Sequence, residues 1–190
     1  KQSGMTNAQN LEELIDLAVG FTCPVLPLGN RLGILVESGA VAIATADAYK
    51  ELGLEIPILS VETQKELTKA VQGVIPAFPS QQNPVDVVWV PAEYSARTFL
   101  ACSRIILKDV DAALIMAYTK LNQYFARELA TLRDEMGKPI LFISGDSTMQ
   151  QKGVSLLTKE GIPTFPIPER ALKVLVAMIH YSNYLRQDDD

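Results

Sequence analysis

The chain has very little from which a metal or redox centre could be built: two cysteines, Cys23 and Cys102, and one histidine, His180, among 190 residues. No CxxC pair occurs, and two cysteines are too few for a disulfide framework. One histidine argues strongly against a zinc site, and no metal ligands are assigned. Both thiols read as reduced, and Cys102, within "SARTFLACSRIIL", reads as a small packed hydrophobe. Ser-His-Asp chemistry has no arrangement either, because His180 lies in the C-terminal "ALKVLVAMIHYSNYL", where it reads as a helix-surface or domain-contact residue. Positive charge is in deficit: 17 Lys and Arg against 22 Asp and Glu give a net charge of −5. That balance argues against nucleic acid and anionic membranes as partners. No apolar run approaches the roughly 18 residues needed to span a bilayer. The first residues, "KQSGM", carry neither an initiator methionine nor a signal-peptide core, so the sequence reads as an interior cut of a longer cytoplasmic polypeptide. Neither GxGxxG nor GxxxxGKS/T occurs, so the usual dinucleotide and nucleoside-triphosphate fingerprints are missing.

What is present is apolar and ordered. A hydrophobic content of 48% over this length suffices for one full core. In "LEELIDLAVGF" (residues 11–21), Leu11, Leu14, Ile15 and Ala18 recur at helical spacing, with Glu12, Glu13 and Asp16 on the other face. The pattern predicts an amphipathic helix, capped by Asn10, with its apolar side toward the core. A proline-interrupted linker leads to an apolar strand over 31–36, then a helix over 38–52 ending at Gly53. "LEIPILS" follows as a strand placed near the sheet edge by Pro57, and Ser60 caps "VETQKELTKAV". After an irregular, proline-rich stretch come a helix near 92–107, the strand "DAALIMAY" and a helix over 123–136. Strand 139–143, helix 147–160, a short strand at 163–165 and a helix from Pro168 complete the chain. Arg127, Glu128, Arg133, Asp134 and Glu135 read as a solvated helix face.

Strands alternating with helices across short loops predict an α/β fold: a flavodoxin-like, doubly wound, parallel five-stranded sheet with helices on both faces. Residues 1–28 form an N-terminal helix and linker, 29–187 the domain, and 188–190 an acidic tail. Ligands in such sheets bind beyond the carboxyl ends of the strands. That points to three loops, at 37–41, 83–89 and 144–147. In the first, Gly39 with Ala40, Val41 and Ala42 leaves a helix start unscreened by long side chains, so its N–H groups can face phosphate or carboxylate. Ser38 either caps that helix or donates its hydroxyl to the anion. In the second, "QQNPVDVVWVP", Asn83 is held extended by Pro84 and Asp86 projects from the constrained segment. That pair either positions an anion-binding loop or organises an Asx-type surface turn.

These same stretches, "GNRLGILVESGAVAIATADAYKELGLEIPILSVET", "NPVD", "VDAALIM" and "GIPTFPIPERALKVLVAMIHYSNYLR", resemble the NDP-forming acyl-CoA synthetases. That family includes ADP-forming acetyl-CoA synthetase and, more distantly, succinyl-CoA synthetase. The resemblance runs nearly the whole chain and corresponds to the flavodoxin-like CoA-ligase domain. It implies a part in joining a carboxylic acid to CoA at the expense of ATP or GTP, through an acyl phosphate and a phosphohistidine carried on a mobile loop. It further implies that the 38–52 helix faces that phosphohistidine, with Ser38, Gly39, Ala40 and Val41 as the phosphate-facing turn and Asn83 and Asp86 as the supporting loop. The family's "SHTG"-like histidine motif is missing from these residues, so no catalytic residue is assigned and the isolated domain is expected to be inactive. CoA, ATP and Mg belong to the full-length enzyme, and this domain alone is expected to bind none of them. Its implied partners are the CoA-binding, phosphohistidine-bearing and ATP-grasp domains, and a homo-oligomer is compatible with the resemblance. Where many relatives read "NAGGPG" this chain has Glu37-Ser38-Gly39-Ala40-Val41-Ala42, and where they tend to have glycines after the aspartate it has Val87, Val88 and Trp89. Those departures leave an alternative: a non-catalytic regulatory or ligand-binding module of the same fold, of the kind joined to an acetyltransferase.

Overall fold

The computed structural model describes residues 6–49, 52–75, 80–117, 121–145 and 151–187. The acidic tail at 188–190 lies outside them, as do Tyr118, at the end of the expected third strand, and residues 146–150, which hold part of the third candidate loop. Five strands form one parallel sheet in the order β2-β1-β3-β4-β5, the flavodoxin-like order. They are β1 (Leu32–Val36), β2 (Val85–Asp86), β3 (Ala112–Met116), β4 (Ile140–Ile143) and β5 (Thr164–Phe165). The helices are α1 (Leu11–Gly20), α2 (Gly39–Ala48), α3 (Val61–Val71), α4 (Ala92–Ile106), α5 (Gln123–Met136), α6 (Gln151–Lys159) and α7 (Pro168–Gln187).

The three inner strands are buried at every residue, as the continuous apolar runs require when both sheet faces are covered. Leu35, Ala113, Ile115, Ile140 and Phe142 point to one face, into a core with α3, α4, α5 and α6. Leu32, Ile34, Val36, Leu114, Leu141 and Ile143 point to the other, against α7 and the inner sides of α1 and α2. Cys102 is fully buried in the first core, and burial pushes its thiol up to about 12. It is a packing residue, and both cysteines are free and buried.

The expected strand at "LEIPILS" is not a strand. Glu55 makes an isolated bridge to Arg31, and β1's outer neighbour is instead the two-residue β2 from the "NPVD" stretch. Three separate pieces serve this edge of β1 in turn. Leu32 N–H donates to the Glu55 carbonyl (2.7 Å). The Asn83 side chain then substitutes for a strand: its Oδ1 accepts from Ile34 N–H (2.9 Å) and its Nδ2 donates to the Leu32 carbonyl (2.7 Å). Finally Val85 and Asp86 pair with Leu35 and Val36. Pro57 contributes a carbonyl, which accepts from Asn83 Nδ2 at 3.3 Å.

Helix α1 also differs from expectation. Its buried residues are Asp16, Leu17 and Gly20, while Leu11, Leu14, Ile15 and Ala18 face outward. Arg170 of α7 sets the rotation of the helix by donating to both carboxylate oxygens of Asp16 (2.6 and 2.7 Å) and to Glu12 (2.7 Å). Gly20 reinforces it: a Cβ there would stand 2.0 Å from Val174 Cγ1. Arg133 departs from the solvated face on which its neighbours lie. It is buried, donating to the carbonyls of Glu160 (2.7 Å) and Gly161 (2.8 Å) where α6 ends, and to Asp134 beside it. A cation at a helix C-terminus is favoured by the unpaired carbonyls there.

Candidate functional site

Between β1 and β3 the connections diverge: α2 packs on the α7 face and α5 on the other. This divergence is the switch point at which open α/β sheets bind ligands. The parallel register places Asp86, Val36 and Met116 side by side, so the carboxyl ends of the three strands form one platform. The turn at 37–39 rises directly from it.

Ser38 is extended (φ −154°, ψ 118°) and occupies the N-cap position of α2, but its side chain makes no capping hydrogen bond. The first turn closes only through Ala42 N–H donating to the Ser38 carbonyl (3.1 Å). Among the described residues, no acceptor pairs with the N–H groups of Gly39, Ala40 or Val41. Gly39 and Ala40 are exposed, and Ser38 and Val41 half-buried. A helix start of this kind carries partial positive charge and several free donors.

Glu37 Oε1 accepts from Val90 N–H at 3.3 Å. Asp86 Oδ2 lies 3.4 Å from where a Cβ on Gly39 would stand. Its other oxygen accepts from Val88 N–H (2.8 Å), in the Asx-type arrangement that holds Val88 at φ +55°, a conformation a β-branched residue rarely adopts. The same local bonding lifts Val88 and Trp89 into solvent, with Trp89 71% exposed. The sequence brought Ser38, Gly39, Ala40, Val41 and Asp86 to one place, and the structure gathers them there. Asn83 stands further down β1, engaged with its backbone. Sequence reasoning missed Glu37's bond to Val90, which rests on a contact 53 residues apart.

Elsewhere, His180 is exposed on α7 and borders a groove of about 610 Å³ between α1 and α7. Among the described residues, no group of three or more His, Cys, Asp or Glu side chains converges to hold a metal ion. No helix among them is long and apolar enough to cross a membrane.

No family model matches the chain. Among curated proteins, it is 27% identical over 190 residues to the alpha subunit of the ADP-forming acetate–CoA ligase II of Pyrococcus furiosus, covering 94% of this chain and 39% of that protein. A crystal structure of a Pyrococcus horikoshii protein superposes with a TM-score of 0.81 at 25% identity, over 97% of this chain and 42% of that one. The dinucleotide-forming acetyl-coenzyme A synthetase 1 of Candidatus Korarchaeum cryptofilum, in its apo form, superposes with a TM-score of 0.76 at 25% identity, over 98% and 42%. The chain thus spans about two fifths of the length of these relatives. Over nearly all of its own length, it is similar to one part of the ADP-forming acetyl-CoA synthetases.

Proposed function

We propose that this chain is one part of an ADP-forming acyl-CoA synthetase, which joins a carboxylic acid to CoA while a nucleoside triphosphate is cleaved to diphosphate and phosphate. Its contribution is the start of α2: the amides of Gly39, Ala40 and Val41, with the Ser38 hydroxyl, receive a phosphoryl group presented on a histidine of another part of the enzyme. One observation carries the reading: a helix start whose first N–H groups have no acceptor among the described residues stands at the carboxyl end of β1, at the switch point of the sheet. Fixed backbone donors suit the task because they stabilise phosphoryl oxygens without competing as nucleophiles. Asn83 and Asp86 hold the platform from which the turn rises.

The residues here supply binding and orientation, not bond making. His180 sits on α7, and none of the turn residues is a base or a nucleophile of the required kind. CoA, the nucleotide and its magnesium therefore belong to the CoA-binding and ATP-grasp parts of the protein, and this chain alone does not turn over.

A second reading has one observation in its favour. Asp86 puts a carboxylate beside the turn, which opposes a bare dianion. With Val88 and Trp89 raised beside it, the same surface serves a regulatory module that no longer transfers phosphate. Titration with inorganic phosphate, followed through the amide resonances of Gly39–Val41, separates the two. Shifts confined to that turn within tens of millimolar support the phosphoryl role. Unmoved amides, together with undiminished acyl-CoA formation by a full-length Ala40→Glu variant, overturn it.

A further inference from the structure

Helix α1 holds to the domain through few of its side chains. Its buried residues are Asp16, Leu17 and Gly20, whereas α5 buries Phe125, Ala126, Leu129, Ala130, Leu132 and Arg133. Leu11, Leu14, Ile15 and Ala18 form a stripe that faces outward and adds nothing to the hold. A groove of about 610 Å³, bordered by Glu13, Leu17, Val174, Ala177 and His180, lies between α1 and α7. Leu17 is thus the one large apolar side chain of α1 that is buried, with Val19 half-buried against the same core. The rest of the hold is ionic. Arg170 donates to both Asp16 oxygens (2.6 and 2.7 Å) and to Glu12 (2.7 Å). The Asp16 side chain is 10% exposed and that of Glu12 68%, so one arm of this clasp is sheltered from water and the other is not. The start of α1 is self-contained: Asn10 Oδ1 accepts from Glu13 N–H (2.9 Å), and Glu13 Oε2 from Gln9 N–H (2.7 Å). From Gly20 onward the fastening changes. A Cβ on Gly20 would stand 2.0 Å from Val174 Cγ1, the Phe21 and Tyr181 rings meet edge to face, and Cys23 is buried.

We propose that residues 11–19 are a strap that opens as one unit, with the Arg170–Asp16 pair as its clasp and Gly20–Cys23 as its pivot, while the five-stranded sheet stays folded. A segment that buries little apolar surface opens at lower free energy than the core of the same domain. A helix this short is marginal in water without tertiary support, so release from Arg170 and from the Leu17 site exposes its amides together. The clasp makes the docked state depend on one charged pair, because removing either partner leaves the other sheltered charge uncompensated. The strap's use rests on the reading that the chain is one part of a larger synthetase. Passing from helix at ~1.5 Å per residue to extended chain at ~3.4 Å lengthens these residues by roughly 15–20 Å. A unit joined through the N-terminal side of the domain gains that travel, while the sheet and the start of α2 keep their shape.

Native-state amide hydrogen exchange of the 190-residue chain, resolved by NMR, is the test. The amides of residues 14–19 are expected to exchange at one common opening rate, about a hundredfold faster than those of β3. Asp16→Asn keeps the shape and removes the charge, and should accelerate the α1 amides by a further factor of about ten with β3 unchanged. Glu12→Gln, on the exposed arm, should accelerate them by less. Amides of α1 that exchange no faster than β3 overturn the strap. So does a gradient from Leu14 to Val19, which is fraying, or an equal acceleration of α1 and β3 by Asp16→Asn, which makes them one unfolding unit. An Asp16→Asn chain that does not fold overturns it in the same way, and an unchanged α1 rate in that variant overturns the clasp. None of these outcomes depends on acyl-CoA formation. A full-length protein without that activity keeps the strap and loses only its use in the proposed reaction.

Discussion

Ser38 and Ser60 both stand at helix starts, and only one of them caps. At α3, Ser60 Oγ accepts from Thr63 N–H (3.1 Å), and the Asp109 carboxylate accepts from Ser60 N–H (2.7 Å). At α2, Ser38 has the same hydroxyl and an extended backbone, yet makes no such bond. Asn10 and Asn122 cap α1 and α5 in the manner of Ser60, each accepting from the third helical N–H at 2.9 Å. Residue type therefore does not decide whether a helix start is closed. Its surroundings do: of these four starts with a Ser or Asn at the N-cap, the one whose side chain makes no capping bond is the one at the switch point of the sheet.

Variants that act on the two starts differently should break or sharpen this contrast. The largest effect is expected from Asn83→Leu, which removes the side chain serving β1 beneath both helices and strands the Ile34 N–H and Leu32 carbonyl. Unfolding stability should fall by about 3 kcal/mol by urea titration, the cost of two buried groups left unpaired. Ser60→Ala should cost about 1 kcal/mol in the same measurement, the usual value of a lost cap.

Acid offers a gentler probe of the closed start. Burial alone raises Asp109, but the Ser60 N–H, the hydroxyls of Thr63 and Ser60, and Arg31 outweigh it and hold the carboxyl below the ordinary aspartate value. A depressed carboxylate stabilises the fold above its unfolded pKa, and that contribution is lost as pH falls through the folded pKa. The wild type should therefore lose stability relative to Asp109→Asn below about pH 4, read from thermal midpoints across the acid range. The smallest effect belongs to Ser38→Ala, within about 0.5 kcal/mol, since no capping bond is removed. A loss as large as that of Ser60→Ala would show that the α2 start is closed in solution.

Much of the architecture was legible in the amino-acid order. The buried runs of β1, β3 and β4, the caps at Asn10 and Ser60, and Pro168 in the first turn of α7 all carry local signals. β2 was not legible, because two residues show no periodicity and a side-chain amide completes the edge in place of more strand. The "LEIPILS" stretch had the composition of a strand, but only Glu55 reaches the backbone of the sheet. The stripe on α1 was visible as a pattern, while its direction depends on Arg170, a partner 154 residues after Asp16. At the candidate site the small residues of the turn could be read directly. The positions of Glu37 and Asp86 relative to it are set by the 86–90 loop and could not.

The brevity of the two border strands, Val85–Asp86 and Thr164–Phe165, bears on how this molecule meets others. With the rest of one border stitched by Asn83 and Glu55, little unpaired backbone remains there to recruit a foreign strand. Strand addition and amyloid-like stacking are thereby discouraged, and association is routed through side chains on helices. A module assembled this way can be joined to, or separated from, its neighbours without its sheet ever being offered as glue.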